Sequence, residues 1–245
     1  MKIILNISFL FFIVLFGTNV YAEESFAEFE NELQVEERVD PLSGFNRAMT
    51  TFNDTTYRYL LSPVAKTYKD VVHKDIRESV DNFFHNILFP VRFVNNLLQF
   101  KFQNTVDETG RFLINSTVGF FGFFDPARAQ FNLQPHNEDF GQTLGYWGVG
   151  TGFHIVWPFL GPSNLRDSIG SFGFDSYLDP LTYYEDRPHN LLNSYEESLG
   201  IKFYKQINYT SLHYGEYENL TKDAIDLYPF LRDSYEQYRA QQVKE

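Results

Sequence analysis

Residues 136–167 read HNEDFGQTLGYWGVGTGFHIVWPFLGPSNLRD, and the fold class turns on how that run is understood. His136, Glu138, Asp139, Arg166 and Asp167 bracket an apolar stretch with glycines at 141, 145, 148, 150 and 152. A dinucleotide fingerprint here would make the chain a doubly wound α/β enzyme. It is not one: bulky Trp147 stands where a phosphate-cradling turn needs open backbone, and no strand-glycine-helix unit surrounds it. Glycines this dense permit tight bends and close backbone approach, so two short extended segments are expected. Asn137, Asp139 and Gln142 are suited to satisfying turn amides, and Arg166 to pairing with Asp167 or a nearby carboxylate.

The same residues carry no reaction. A carboxylate three residues from His136 could orient its imidazole. There is, however, no G-x-S-x-G elbow, and the serines fall in turns or caps. Three ligands packed within His136, Glu138 and Asp139 give poor metal geometry, with no H-E-x-x-H spacing to join. His154, between Phe153 and Ile155, reads as a structural histidine. No catalytic residue, metal or cofactor is expected.

Upstream, the pattern is helical. Leu42, Phe45, Met49, Phe52 and Tyr59 recur at three- and four-residue steps after an Asp40-Pro41 start read as N-cap and first helical position. A second helix is expected at about 73–88, with Ile76, Val80, Phe83, Phe84, Ile87 and Leu88 on one face and Pro90 interrupting it. A third, VRFVNNLLQFKF, leads to a fourth near VDETGRFLINSTVG. Each has a broad apolar face and a narrow amide-rich or acidic one. FFGFFDPARAQFNLQP, from Phe120, reads as a protruding hairpin or loop with an apolar tip. Helix is expected to resume with Ser163 as cap, through about Tyr177.

Composition shifts near residue 175. Beyond it lie only Phe203 and Phe230 of the Phe residues, but 11 of the 16 Tyr. Phe can face hydrocarbon, whereas Tyr prefers a boundary where its hydroxyl stays wet. An apolar body with an interfacial helical tail, or an ordinary aromatic core with a tyrosine-rich helical pair, both fit. No segment after the first 22 residues has 18 consecutive apolar residues or a membrane-barrel alternation, so any membrane contact is expected through amphipathic helices lying in it.

Residues 1–22 read as a secretory signal peptide, with Lys2, an apolar middle and Val20 and Ala22 before the cut; an uncleaved anchor is the competing reading. Removing that segment takes the charge from −12 to 19 minus 32, or −13. Basic residues scattered singly among acids exclude nucleic acid as the main partner. Residues 23–39 read as an acidic leader. The chain contains no cysteine, which excludes disulfides, Cys-ligated metal and thiol nucleophiles, and with an export signal fits a bacterial envelope.

DPLSGFNRAMTTFN, LLSPVAKTYKDVV, NNLLQFKF, TGRFLINSTVGFFGFFDPA, HNEDFGQTLGYWGVG and PFLGPSNLRDSIG, in this order, resemble the MlaA (VacJ) family of outer-membrane lipid-asymmetry proteins. The resemblance is strongest over 40–181 within a 40–245 domain, and the helical tail 190–245 is less diagnostic. It implies a mainly α fold, a ring-like bundle of amphipathic helices embedded in one membrane leaflet, with a central channel and a short hairpin-like loop. It also implies passage of misplaced phospholipids from the outer leaflet of the outer membrane to an MlaC-like periplasmic carrier, association with trimeric porins, and no enzymatic activity. On that reading Asn46, Arg47, Asn53, Asp54, His136, Asn137, Asp139 and Gln142 line or shape a polar path, while Phe120, Phe121, Phe123 and Phe124 touch lipid. Many family members carry a lipobox cysteine, absent here, so the protein is expected at the periplasmic leaflet without a lipid anchor. The rival functions are a periplasmic phospholipid hydrolase and a non-transporting envelope structural protein.

Overall fold

The computed structural model describes residues 40–187 and 190–245. The expected signal peptide and acidic leader lie outside the described residues. The body, Pro41–Glu245, is mainly helical.

Helix α1 (Ser43–Thr56) starts two residues later than the Asp40-Pro41 reading. The Asn46 N–H closes on the Leu42 carbonyl at 2.8 Å, which puts Leu42 at the cap and leaves Pro41 in the preceding turn. A π-helical turn, Tyr57–Leu61, joins α1 to α2 (Ser62–Val71). His73 caps α3 (Lys74–Ile87) by accepting from the Asp75 N–H. Pro90, expected only to interrupt, stands in the first turn of α4 (Phe89–Leu98), where its missing N–H costs nothing. Helix α5 (Phe102–Thr117) follows.

The segment after Gly119, expected as a hairpin or loop, is a loop without a strand. Phe120 and Phe121 take left-handed φ values of 51° and 58°, and Gly122 follows at 90° with Asn86 2.5 Å from where a Cβ would be. Asp125 then caps the short helix α6 (Pro126–Phe131), whose first residue is a proline that could not serve a ladder. An extended segment, 132–139, leads to α7 (Phe140–Tyr146). The two extended segments form a hairpin, β1 (His154–Trp157) antiparallel to β2 (Gly161–Asn164), with His154 opposite Asn164. Asn164, not Ser163, caps α8 (Leu165–Ile169), because its extended backbone lets the side chain accept from the Asp167 N–H. A π-helical turn, Gly170–Asp175, carries α8 into α9 (Ser176–Leu178). The tail folds as α10 (Tyr195–Leu212), α11 (Glu216–Thr221) and α12 (Leu227–Gln242).

Contacts between elements run in a closed circuit. From α1 they pass through the π turn to α2, then α10, α3, α4, α7, α8 and the hairpin, which packs back on α1. That is a ring of helices, and α12 braces it against α1 and β2.

The helices are turned inside out relative to a water-soluble bundle. On α1, Asn46 and Thr50 are buried while Phe45, Phe52 and the adjoining Tyr59 are exposed. On α4 the buried set is Arg92, Asn95 and Asn96, and on α5 it is Thr105, Glu108, Arg111 and Asn115, with Leu97, Val106 and Leu113 outside. Among the described residues the buried apolar side chains are only Ala65, Phe84, Pro126, Ala127, Ile155, Val156, Leu181 and Tyr228. An amphipathic helix in water shows the opposite order. No described helix is long and apolar enough to cross a membrane.

A polar interior holds only where each group is satisfied. Asn46, 0% exposed, donates from Nδ2 to the His154 carbonyl (3.0 Å) and the Tyr228 hydroxyl (3.1 Å) and accepts from the Val156 N–H (2.9 Å). Replacing it by Leu leaves those partners buried without a match, so Asn46→Leu is expected to lower the unfolding free energy by about 3 kcal/mol, measured by denaturant titration in detergent.

Candidate functional site

The HNED run that looked like chemistry is a strap, and its residues are tied to α3, α4, α5 and α12. The His136 N–H donates to Glu108 on α5 (2.7 Å), its carbonyl accepts from Asn96 on α4 (3.1 Å), and its ring meets Asp107 at 3.3 Å. Asn137 bonds His85 on α3 at 3.1 Å. Glu138 accepts from Gln99 (2.8 Å) and Lys101 (2.6 Å) at the end of α4. Asp139 caps α7 and holds Arg239 of α12 through both carboxylate oxygens, at 2.7 and 2.8 Å. Beneath the strap Arg92 donates to Glu108 at 2.7 Å and to the His85 carbonyl at 2.7 Å. Burial, helped by the Arg92 charge, lowers His85 to about 4, so its imidazole is neutral at pH 7.

Arg239 ties α12 to the ring. Besides Asp139 it bonds Asp167 at 2.9 Å, and Asp167 also accepts from Arg166 (2.9 Å), Asn164 (2.9 Å) and the Tyr235 hydroxyl (2.8 Å). Burial opposes ionisation of Asp167, but the hydrogen bonds and charge of Arg239 outweigh it and hold the carboxyl below its ordinary range. The expected Arg166–Asp167 pair is present. His154 is buried, with Nδ1 on Glu236 at 2.9 Å.

A concave feature lies elsewhere. A cavity of about 770 Å³ opens between α1 with its π turn, the hairpin, and α10 to α12. Leu60, Leu61, Phe203, Leu220 and Leu231 give it apolar walls, and Asn53, Thr56, Gln206, Thr210, His213 and Glu216 give it polar ones. Tyr57, Tyr209 and Tyr217 also face it. The Tyr57 hydroxyl donates to Glu218 at 3.1 Å, and burial with that carboxylate pushes it up to about 12. Nothing in this wall pairs a nucleophile with a base. Its mixed surface can instead accommodate a molecule with one polar and one apolar end.

The structure divides the expected path residues. Asn53 lines the cavity and binds the hairpin turn, accepting from the Phe159 N–H (2.7 Å) and donating to the Trp157 carbonyl (2.9 Å). Asp54 is engaged by Arg58 and the Tyr217 hydroxyl, and Arg47 pairs in the open with Asp226 at 2.6 Å. Asn46 has no free surface. His136, Asn137 and Asp139 are gathered on the strap and Gln142 on the adjoining α7, none of them in the cavity wall. Of the four Phe, residues 120, 121 and 124 are exposed, whereas Phe123 stacks on Phe83 with ring centroids 4.9 Å apart. The sequence reading missed the contribution of the tail. Gln206 and Thr210 on α10 and His213 at its C-cap recur at helical spacing, a polar stripe that could have been counted.

Comparisons with known proteins agree with these features. The family model described as "MlaA lipoprotein" matches residues 38–242. An uncharacterized protein of Rickettsia typhi is 33% identical over 216 residues, covering 87% of this chain and 82% of its own. The "Intermembrane phospholipid transport system lipoprotein MlaA" of Haemophilus influenzae is 32% identical over 206 residues, 83% and 79% of the two chains. A solved structure described under "Structural basis for maintenance of bacterial outer membrane lipid asymmetry" superposes with a TM-score of 0.67 at 28% identity, over 84% of this chain and 100% of that one. The lipoprotein descriptions stand against the expectation of a protein without a lipid anchor.

Two measurements probe this framework. Arg239→Met strands Asp139 and Asp167, and is expected to cost about 3 kcal/mol of stability in a chemical melt. Burial raises Asp175 from its ordinary 3.8 to about 6, against hydrogen bonds from Phe140 and Asn95 that work the other way. The folded state therefore holds a proton that the unfolded chain has released, and stability from this group falls as pH rises from about 4 through about 6. In Asp175→Asn that component of the slope is expected to vanish.

Proposed function

The chain belongs to the MlaA lipoprotein family, and from that premise we propose that it moves phospholipids between membranes. In this reading it sits in the periplasmic leaflet of a Gram-negative outer membrane, removes phospholipids misplaced in the outer leaflet, and passes them to an MlaC-like periplasmic carrier, beside a trimeric porin. The ring encloses a central channel, and the chain performs no catalysis.

One observation carries the proposal. Polar side chains are gathered inside the ring and Phe-rich faces outside it, around a cavity with both kinds of wall. Outward Phe and Leu are costly in water and favourable in hydrocarbon. A lipid crossing a leaflet needs the reverse arrangement within, a wet route for its head group bordered by apolar surface for its tails. Phe120, Phe121 and Phe124 are exposed on a turn held at positive φ, and in this reading they touch acyl chains. These faces contribute to retention at the membrane.

A strain lacking the gene is expected to accumulate phospholipid in its outer leaflet, reversed by the intact chain. Unchanged lipid asymmetry would favour a structural envelope protein, and release of fatty acid from vesicles by the purified chain would favour a hydrolase. The triple variant Phe120→Ser, Phe121→Ser, Phe124→Ser is expected to lose membrane retention and complementation at nearly unchanged stability. Phe123→Ser, which removes a packed ring, is expected to cost about 3 kcal/mol of stability instead.

A further inference from the structure

The wall of the 770 Å³ cavity is charged in one sense only. Among the described residues that line it there is no Lys or Arg, and its one carboxylate is Glu216, the first residue of α11. Among the described residues Glu216 meets only the His213 ring, with both carboxylate oxygens 3.1 Å from Nδ1. The Glu216 side chain is 71% exposed, so its carboxylate is open to a guest at the mouth of the cavity. Arg58, which does not line the cavity, is matched by both oxygens of Asp54, 2.8 and 2.9 Å from Nε.

The donors of the wall are used in the same direction. The hydroxyls of Tyr57 and Tyr217, both lining residues, donate to the carboxylates of Glu218 (3.1 Å) and Asp54 (2.9 Å), and Asn53 donates to the Trp157 carbonyl. What these tyrosines still offer a guest is ring surface. The Tyr57 and Tyr217 rings lie 4.4 Å apart, Tyr209 stacks on His213 at 4.3 Å, and the Arg58 guanidinium already lies 5.9 Å from the Tyr217 centroid. A phosphate entering here finds no Lys or Arg to receive it. An ammonium finds a carboxylate and aromatic faces, the groups that recognise such a cation.

We propose that this part of the cavity is an ammonium-reading site. Glu216, with the rings of Tyr57, Tyr209 and Tyr217, receives the cationic end of a zwitterionic phospholipid head group, and the leucines of the wall receive acyl chain. This rests on the phospholipid-passage reading and names its substrate class. A glycerol head group brings the same phosphate and chains without the cation, and is held less well.

The test uses the full chain in detergent, loaded from vesicles of equal phosphatidylethanolamine, phosphatidylcholine and phosphatidylglycerol, with co-purifying lipids counted by mass spectrometry. The intact chain is expected to favour each zwitterionic lipid over phosphatidylglycerol by about fivefold, the scale of one part-solvated cation contact. Glu216→Gln should bring the ratio near one, and Glu216→Lys should turn it towards phosphatidylglycerol. Tyr217→Leu should weaken the preference, while Tyr217→Phe, which keeps the ring, should retain it. Soluble phosphoethanolamine, which has the head group without the chains, should displace little bound lipid. A Glu216 that served only the start of α11 would change the melting temperature in these variants and leave the lipid ratio alone. No preference in the intact chain, or the same preference in both Glu216 variants, would overturn the site while leaving lipid passage standing. A chain that takes up none of the three lipids would overturn the passage reading itself.

Discussion

A polar side chain withdrawn from water must find a partner, and in this fold the partner nearly always comes from another element of the ring. Asn46 joins α1 to the hairpin and α12. Arg92 and Glu108 join α4 to α5 and the strap, Arg77 joins α3 to α10, and Arg239 draws α12 onto Asp139 and Asp167. Each bond contributes modestly while made and costs much more when broken, because what remains is a buried group without a match. The ring is thereby held by specific pairings and depends little on an apolar core.

That internal arrangement dictates the exterior. With the narrow polar faces consumed inside, the broad Phe and Leu faces turn outward, and a surface of this kind is at rest only against hydrocarbon. The same geometry leaves a cavity bordered by polar side chains on one side and leucines on the other. Stability, placement in a membrane and the capacity to accommodate an amphipathic molecule follow from one inversion.

Much of this was legible in the sequence. The helical periods of residues 42–119, the absence of a nucleotide fingerprint, and the structural parts of Asp139, His154 and Arg166 all followed from spacing and chemistry. Periodicity alone could not say which face points inward, since an apolar stripe looks the same whether it meets a core or a lipid. The stronger hint was the composition of the narrow faces: Arg92, Asn95, Asn96 and Gln99 recur at steps of three and four, as do Thr105, Glu108 and Arg111. Charged and amide groups at helical spacing on an otherwise Phe-rich helix are poorly explained as a solvated face. Arg239, 100 residues from Asp139, and the cavity residues of α10 and α11 depend on ring closure, which no local pattern encodes. The left-handed turn at Phe120 and Phe121 was also hidden, because bulky residues rarely adopt that backbone.

The inversion can be tested directly through tryptophan, of which the chain has two. Trp147 is exposed among the aromatic residues Phe100 and Tyr146, whereas Trp157 packs on Phe172 and donates to Ser168 at 2.8 Å. In a Trp157→Phe variant reconstituted into bilayers, Trp147 fluorescence would be followed with lipids brominated along their acyl chains. Strong quenching by the brominated chains is the expected result, since it places the outward aromatic face in hydrocarbon. Emission unquenched by the lipid and fully accessible to aqueous iodide would contradict the account.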